Sequence, residues 1–179
     1  DKADMMATKL EPAYKSETGL PYHSINPVTG QATGSLVWLS DITTGVLEYA
    51  FLTDVTDDAR FKRRSEVAKA FLARKEKPRG LYPWKVDVES GEWANTTATL
   101  SFASRQFYLN LIKGYLYSNK KDTASLQMYL EAIDGVQTNK LLAESRTKLL
   151  YARDFDFSTE TYDDFMSRCS CYLGAMFSL

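Results

Sequence analysis

FYLNLIKGYLYSNKKDTASLQMYLEAI, residues 107–133, decides the fold class because it contains two apolar stripes at helical spacing. The first stripe predicts a helix and consists of Phe107, Tyr108, Leu111, Ile112, Tyr115 and Leu116. The second stripe lies in a helix expected over 124–142 and consists of Leu126, Tyr129, Leu130 and Ile133. Asp122 or Thr123 is placed to cap the second helix. A connection this short predicts an antiparallel helical hairpin.

A second helical hairpin is predicted towards the amino terminus. Apolar residues at helical spacing indicate helices over 39–53 and about 58–75, joined by the short segment 54–57. Ser40 or Asp41 is expected to cap the first of these helices. Another helix is expected over 3–14, and residues 19–34 are punctuated by Pro and Gly and therefore predict a loop.

Short strands are predicted between the helices. Residues 80–93 contain Val86 and Val88 in alternation before a Ser90-Gly91 turn, which indicates a β-hairpin. Residues 148–152 predict a further strand, and a helix is expected over 162–179. The predicted fold is therefore mainly α, an array of αα-hairpins with short β-hairpins between the helix pairs.

Composition restricts the class of protein. A chain of 179 residues with 44% hydrophobic and 25% charged residues is typical of one globular domain, so we expect 1–179 to form a single domain. The net charge of −1 gives no reason to expect nucleic acid as a partner. No apolar run approaches the roughly 18 residues of a membrane span. The first residues do not resemble a signal peptide, and the helix-like ends predict a segment of something larger.

Few residues suit metal or nucleophilic chemistry. Cys169 and Cys171 are two positions apart, so free thiols are expected rather than a mutual disulfide unless a partner lies elsewhere. His23 is the only histidine and sits in a predicted loop, which argues against a His-rich metal site. We predict no metal ligands in this chain. Asn95-Thr96-Thr97 is a glycosylation sequon, so Asn95 is a candidate acceptor of an N-glycan. The sequon is compatible with a protein of the secretory lumen.

Six segments in order resemble the class I α-1,2-mannosidases, glycoside hydrolase family 47. Leu47-Glu48-Tyr49 stands where the family usually has Leu-Glu-Phe, and Gly80-Leu81-Tyr82-Pro83 with Ser90-Gly91 resembles its "GL-P…SG" hairpin. The other similar segments are ATKLEPAYKSETGLPYHSIN (7–26), YLNLIK (108–113), YLEAIDGVQT (129–138) and Cys171-Tyr172-Leu173.

The resemblance implies a fold and a chemistry. It implies that this chain is a central segment, roughly three helix pairs, of an (α/α)7 barrel. Members of the family remove α-1,2-linked mannose from N-glycans with inversion, using carboxylates as acid and base and a calcium ion that holds the sugar. By the resemblance, the general acid lies before this chain, and the base glutamate and the calcium-binding threonine lie after it. We therefore expect no cofactor in this chain, and Ca2+ only if the missing C-terminal part of the barrel is present.

The family's internal site positions are mostly replaced. The resemblance places Arg105 where the family has an aspartate, and Ala103 where it has a substrate-contacting arginine. An Asp-His pair that contacts the sugar is replaced by Ser167 and Arg168. Asp41 occupies a position where the family has a glutamate. No carboxylate occurs in 102–114, so a small shift of alignment restores none at Arg105.

Each candidate also has a structural interpretation. Asp41 and Glu48 are substrate-binding candidates, but we favour a helix cap for Asp41 and consider a salt bridge equally for Glu48. Arg105 and Arg168 are candidates for an anion pocket, although salt-bridged or solvated arginines are commoner. The basic cluster Arg60–Arg64 and Arg74–Arg79 is better explained as a solvated helix face. The aromatic residues of the predicted hairpin suit either sugar stacking or packing, and they are Tyr82, Trp84 and Trp93.

These observations give three functional hypotheses. The first is a mannosidase-like module, catalytically inactive in this chain, with a structural or binding role in a larger protein or assembly. The second is part of an active calcium-dependent α-1,2-mannosidase, and the third is a glycan-binding, lectin-like factor. Expected partners are other chains or the missing parts of the same barrel, with N-glycans as further candidates. The resemblance implies the lumen of the secretory pathway.

Overall fold

A computed structural model describes residues 2–179 as seven α-helices, three 3-10 turns and nine short strands. The helices are α1 Lys2–Leu10, α2 Leu39–Ile42, α3 Val46–Thr56, α4 Ala59–Arg74, α5 Arg105–Tyr117, α6 Thr123–Thr138 and α7 Tyr172–Phe177. The 3-10 turns are Glu11–Tyr14, Pro78–Gly80 and Arg168–Cys171. The strands are β1 Ser24–Ile25, β2 Ala32–Thr33, β3 Leu36–Trp38, β4 Lys85–Asp87, β5 Thr97–Ala98, β6 Leu142–Glu144, β7 Leu150–Ala152, β8 Asp154–Asp156 and β9 Thr161–Asp163.

The α5–α6 hairpin forms the centre of the core, as its sequence predicts. Phe107, Tyr108 and Leu111 are at most 2% exposed, and the Asp122 carboxylate caps α6 by accepting from Ser125 N at 3.1 Å. The predicted stripe on α6 is confirmed in part, because Leu126, Tyr129 and Ile133 are half-buried against the core whereas Leu130 is 52% exposed. The residues of α6 that are buried instead are Ser125, Met128, Ala132, Gly135 and Val136.

The helix expected over 39–53 is divided into α2 and α3. Gly45 has a φ of 87°, a left-handed conformation that no right-handed helix can continue through. The apolar spacing continues across this break, so periodicity alone predicted one helix. The expected cap is also wrong, since Trp38 stands at the start of α2 and no side chain caps it. Ser40 and Asp41 lie within α2 and use their side chains elsewhere.

Helix α4 follows the prediction closely. The Asp58 carboxylate accepts from Arg60 N at 3.0 Å and caps the helix, which buries Phe61, Ala68 and Leu72. Helices α3 and α4 pack together as the second helical hairpin, and α3 also packs on α5. The two hairpins therefore stand side by side, and a mainly α array is confirmed.

Strand pairing differs from the prediction in several places, including a β1–β2 pair within the predicted loop 19–34. The predicted hairpin is confirmed, since Asp87 N donates to Glu92 O and Ala94 N to Lys85 O, each at 2.9 Å. Its strand β4 also pairs with β3. Residues 36–38 were not predicted to be a strand. The strand expected over 148–152 is confirmed as β7, which pairs with β6. The helix expected from Tyr162 begins at Tyr172, because 161–163 pairs with β8 instead.

Candidate functional site

Three segments that carry the family's site positions meet at the amino-terminal end of α5. Ser40 N donates to Ala103 O at 2.8 Å, and Ser40 Oγ donates to Phe102 O at 3.0 Å and accepts from Gln106 N at 3.1 Å. Ser170 Oγ donates to Leu100 O at 3.4 Å from the third segment. These bonds involve backbone atoms, so the arrangement does not depend on which side chains stand at 41, 103, 105 or 168.

Asp41 is hydrogen-bonded to His23 at this end of the molecule. Their Oδ2 and Nδ1 atoms are 3.1 Å apart, and the side chains are 33% and 52% exposed. Trp38 lies beside both His23 and Phe102, with ring centroids 6.3 and 5.0 Å away. His23 N donates to Gly34 O, which fixes the loop that carries the imidazole. The favoured helix cap for Asp41 is therefore wrong.

Arg105 is the first residue of α5 and is half-buried. Burial raises the pKa of the Tyr172 phenol, and the nearby charge of Arg105 opposes that increase. Arg168 is exposed, beside Ser167, whose Oγ accepts from Cys169 N at 3.2 Å. Neither guanidinium has an ion-pair partner within residues 2–179. The salt bridges considered for them are thus not formed in this part of the chain.

Within residues 2–179, neither Glu48 nor Asn95 bonds to His23, Asp41 or Arg105. Glu48 is exposed on α3, beyond the break at Gly45, and the described residues offer it no ion pair. The Asn95 side chain joins two strands, accepting from Lys85 N at 2.8 Å and donating to Thr97 O at 2.7 Å. Asn95 remains a candidate glycosylation acceptor, but its amide is occupied in the folded chain.

The hairpin aromatic residues pack rather than present a common face. Tyr82 is fully buried, 6.3 Å from the ring of Trp93 and 4.7 Å from that of Phe107. Trp93 Nε1 donates to Glu76 O at 2.9 Å. The packing interpretation therefore describes Tyr82 and Trp93. Sequence reasoning missed Trp38, whose only signal was its position one turn before Asp41.

The residues of this chain do not by themselves fit a calcium site. Calcium takes about 6–8 oxygen ligands, mostly from carboxylates and carbonyls. Across residues 2–179 no three His, Cys, Asp or Glu side chains are grouped so that they could hold a metal ion. Of the two acids that the resemblance places at site positions, Asp41 is paired with an imidazole and Glu48 is exposed on α3. Both cysteines are unbridged, Cys169 half-buried and Cys171 exposed. No helix within 2–179 is long and apolar enough to cross a membrane.

A cleft of about 500 Å³ lies elsewhere, between the α3–α4 and α5–α6 hairpins. Its lining includes Asp54, Lys69, Gly114 and Asp122. Lys69 Nζ is 2.5 Å from Asp122 Oδ2, and Asp54 accepts from Tyr117 Oη at 2.8 Å, so these acids are already partnered. At about 1.5 Å of rise per residue, Gly114 is roughly 13 Å along α5 from Arg105. The cleft is therefore separate from Arg105, although Leu47, beside Glu48, contributes to its lining.

Comparisons with known proteins agree on one family. The chain is 31% identical over 185 residues to mannosyl-oligosaccharide alpha-1,2-mannosidase IA of Drosophila melanogaster, and 29% identical over 184 residues to the corresponding enzyme IA of Sus scrofa. These alignments cover 100% and 99% of this chain but only 27% and 28% of the relatives, so the chain spans about a quarter of their length.

The structural comparison shows the fold. An alpha-1,2-mannosidase from Trichoderma reesei superposes with a TM-score of 0.88 at 20% identity, over 98% of this chain and 37% of that one. This likeness confirms the α/α-barrel fold, of which the described residues form an open part. The sequence model of Glycosyl hydrolase family 47 matches residues 1–179. Since that match runs the whole length of the sequence, the chain belongs to glycosyl hydrolase family 47.

Proposed function

We propose that this chain is a non-hydrolytic mannosidase-like module, one part of a family 47 barrel with a structural or binding role in a larger protein. The observation that carries the proposal is Arg105, which stands at the start of α5 where the family resemblance implies an aspartate. Inverting glycosidases need one carboxyl group to protonate the leaving oxygen and another to activate water. A guanidinium stays charged at all working pH values and performs neither step.

The remaining acid gives little compensation. Asp41 shares its carboxylate with His23, and Glu48 lies on α3 away from that pair. Ala103, Ser167 and Arg168 have lost the groups that the resemblance assigns to substrate contact. Residues that act together in catalysis have non-additive effects. One remaining acid therefore does not restore the activity that several replacements remove.

The complete protein provides the test. It is incubated with a high-mannose N-glycan in calcium, and released mannose is measured, with mannosidase IA of Sus scrofa as the positive control. We expect no release above a chelator blank. Calcium-dependent release by the complete protein would overturn the proposal and favour the second hypothesis, a working α-1,2-mannosidase completed by the missing segments.

A glycan-binding role is the second candidate, and one observation favours it. Trp38 and the 51% exposed Phe102 lie beside Asp41 and His23, so apolar ring faces and polar groups occur together at the family's site positions. Aromatic faces with a polar rim suit carbohydrate rings. Saturable glycan binding without hydrolysis, lost in Trp38→Ala, would support this role over a purely structural one.

The module's partners and location are part of the same proposal. Exposed apolar side chains on α1 and α3, including Met6 at 63% and Phe51 at 59%, suit burial against further helix pairs of the same barrel. The family relationship supports placement in the lumen of the secretory pathway, with N-glycans as the candidate ligands.

A further inference from the structure

A groove of about 320 Å³ lies between α4 and the segment 11–19, away from the family's site positions. We propose that this groove binds an oxyanion, the phosphate or sulfate group of a small ligand. The side chains that matter are Glu11, Tyr14, Lys15, Arg60, Arg63 and Arg64. Four of these side chains are cationic and one is acidic. A concave site lined mainly by charges of one sign concentrates ions of the opposite sign.

The groove contains more positive charge than its carboxylates neutralise. Glu11 Oε1 pairs with both Arg64 and, at 3.6 Å, Arg60. Asp58 also holds Arg60, with 2.6 Å between Oδ2 and Nη2. Lys15 and Arg63 have no ion pair with any residue in 2–179. Asp4 adds a third negative charge near Arg60, so four cationic groups meet three carboxylates.

Arg64 has donor capacity that the chain leaves unused. Its side chain is only 17% exposed, and its Nη2 faces Glu11, whereas Nη1 is buried without a hydrogen-bond partner. Buried N–H groups are nearly always satisfied, so an orphan of this kind needs an explanation such as a bound ion. The guanidinium fork matches the oxygen spacing of phosphate or sulfate.

The backbone keeps the groove open. Arg60, Arg63, Arg64 and Val67 are spaced at three and four residues, so they share one face of α4. Gly19 faces Val67 with a φ of 75°, and a Cβ built on it would lie 2.7 Å from Val67 Cγ1. Arg60 and Arg63 on this face are exposed, as the solvated-face interpretation expects, and Arg64 is the cationic residue that is mostly buried. On a neighbouring face Lys62 pairs with Glu66 at 3.7 Å.

Binding to the complete protein tests the proposal. Sodium phosphate and sodium sulfate are titrated by calorimetry at constant ionic strength set with chloride. We expect saturable binding that weakens as sodium chloride is raised. Arg63→Ala should weaken binding about three- to tenfold. Arg74→Ala is the matched control, since Arg74 is an exposed arginine of α4 outside the groove, and it should leave binding unchanged.

Further arms separate the sources of the anion. A hexose 6-phosphate that binds more tightly than inorganic phosphate indicates that the ligand carries its oxyanion on a larger body, and equal affinities indicate a site for the free ion. The unphosphorylated hexose should not compete. Circular dichroism must show that Arg63→Ala is folded.

Three outcomes contradict the proposal. Weak binding that is equal in the wild type, Arg63→Ala and Arg74→Ala means an adventitious ion only. No binding of phosphate or sulfate also overturns the site. Binding of an acidic polypeptide without binding of either small anion would make the groove a protein contact instead.

Discussion

Asp122 joins two helices through one carboxylate. Its oxygens cap α6 and accept from Lys69 Nζ on α4, whose side chain is only 15% exposed. Burial alone would raise the pKa of Asp122, but the hydrogen bonds from Lys69 and Ser125 outweigh it and hold the pKa below its usual value. The stabilisation is therefore complete above the unfolded pKa of about 3.9, and it is lost as the pH falls through the lower folded value.

Replacement of this carboxylate should be costly. We expect Asp122→Ala to lower the free energy of unfolding by about 2 kcal/mol at neutral pH, because α6 loses its cap and the buried Lys69 loses its counter-ion. Urea denaturation between about pH 5 and pH 2 should show the difference from wild type shrinking as the pH falls. Asp134→Ala, an exposed position of α6, is the control and should change stability little. A difference that grows on acidification would contradict the assignment.

Asn95 has a structural role that its sequon does not indicate. In protein made without N-glycosylation, Asn95→Ala should lower the free energy of unfolding by about 1–2 kcal/mol, because Lys85 N and Thr97 O lose their side-chain partner. Thermal unfolding of both proteins measures the loss. Thr97→Ala abolishes the same sequon but keeps the Asn95 amide, so its effect should be smaller. Equal losses would assign the stabilisation to the threonine instead.

At the scale of elements, α6 is positioned by a glycine contact. A Cβ built on Gly135 would lie 2.5 Å from Gly80 O and 2.9 Å from Gly80 C. We expect Gly135→Ala to destabilise the protein by about 2–3 kcal/mol, because backbone rather than a mobile side chain must move. Gly174→Ala in α7 meets nothing within 4 Å and should be neutral or slightly stabilising. Denaturant midpoints of the two variants decide between these expectations.

Apolar spacing in the sequence predicts some elements well and others poorly. Apolar spacing located α4, α5 and α6, because each buries one face on its neighbours. Apolar spacing did not determine how α6 is rotated about its own axis. Gly135 of α6 packs against Gly80, and Leu130 is exposed. It also could not detect the break at Gly45, since apolar residues continue through it. Strand β3 was missed because its partner, β4, lies almost fifty residues away.

At the scale of the whole molecule, exposed apolar side chains occur on α1 and α3 and in other segments, including Leu149, Leu150 and Phe165. In the complete protein we expect Phe51→Lys to lower the free energy of unfolding by about 2 kcal/mol, because the barrel's other helix pairs are proposed to cover this side chain. Val28→Lys is the control, since Val28 is 90% exposed in a loop, and it should have little effect. Equal tolerance of both changes, measured by chemical denaturation, would mean that this surface stays uncovered.

The sequence predicted which positions form the candidate site, but it predicted few of the contacts that their side chains make. Motif order placed Asp41 and Arg105 in segments that do meet at the end of α5. The pairing of His23 with Asp41 was not predicted, because it joins a loop to a helix and depends on the β1–β2 turn. Whether Asp41 caps α2 also depended on a helix boundary, which spacing locates only within a few residues.

The hydrogen bonds of Ser40 affect which substitutions this part of the fold can tolerate. It bridges Phe102 O and Gln106 N, while its own amide reaches Ala103 O. The start of α5 is thus held by backbone atoms together with the small hydroxyls of Ser40 and Ser170. Substitutions at 103 and 105 can therefore change the chemistry of these positions while the fold around them is kept.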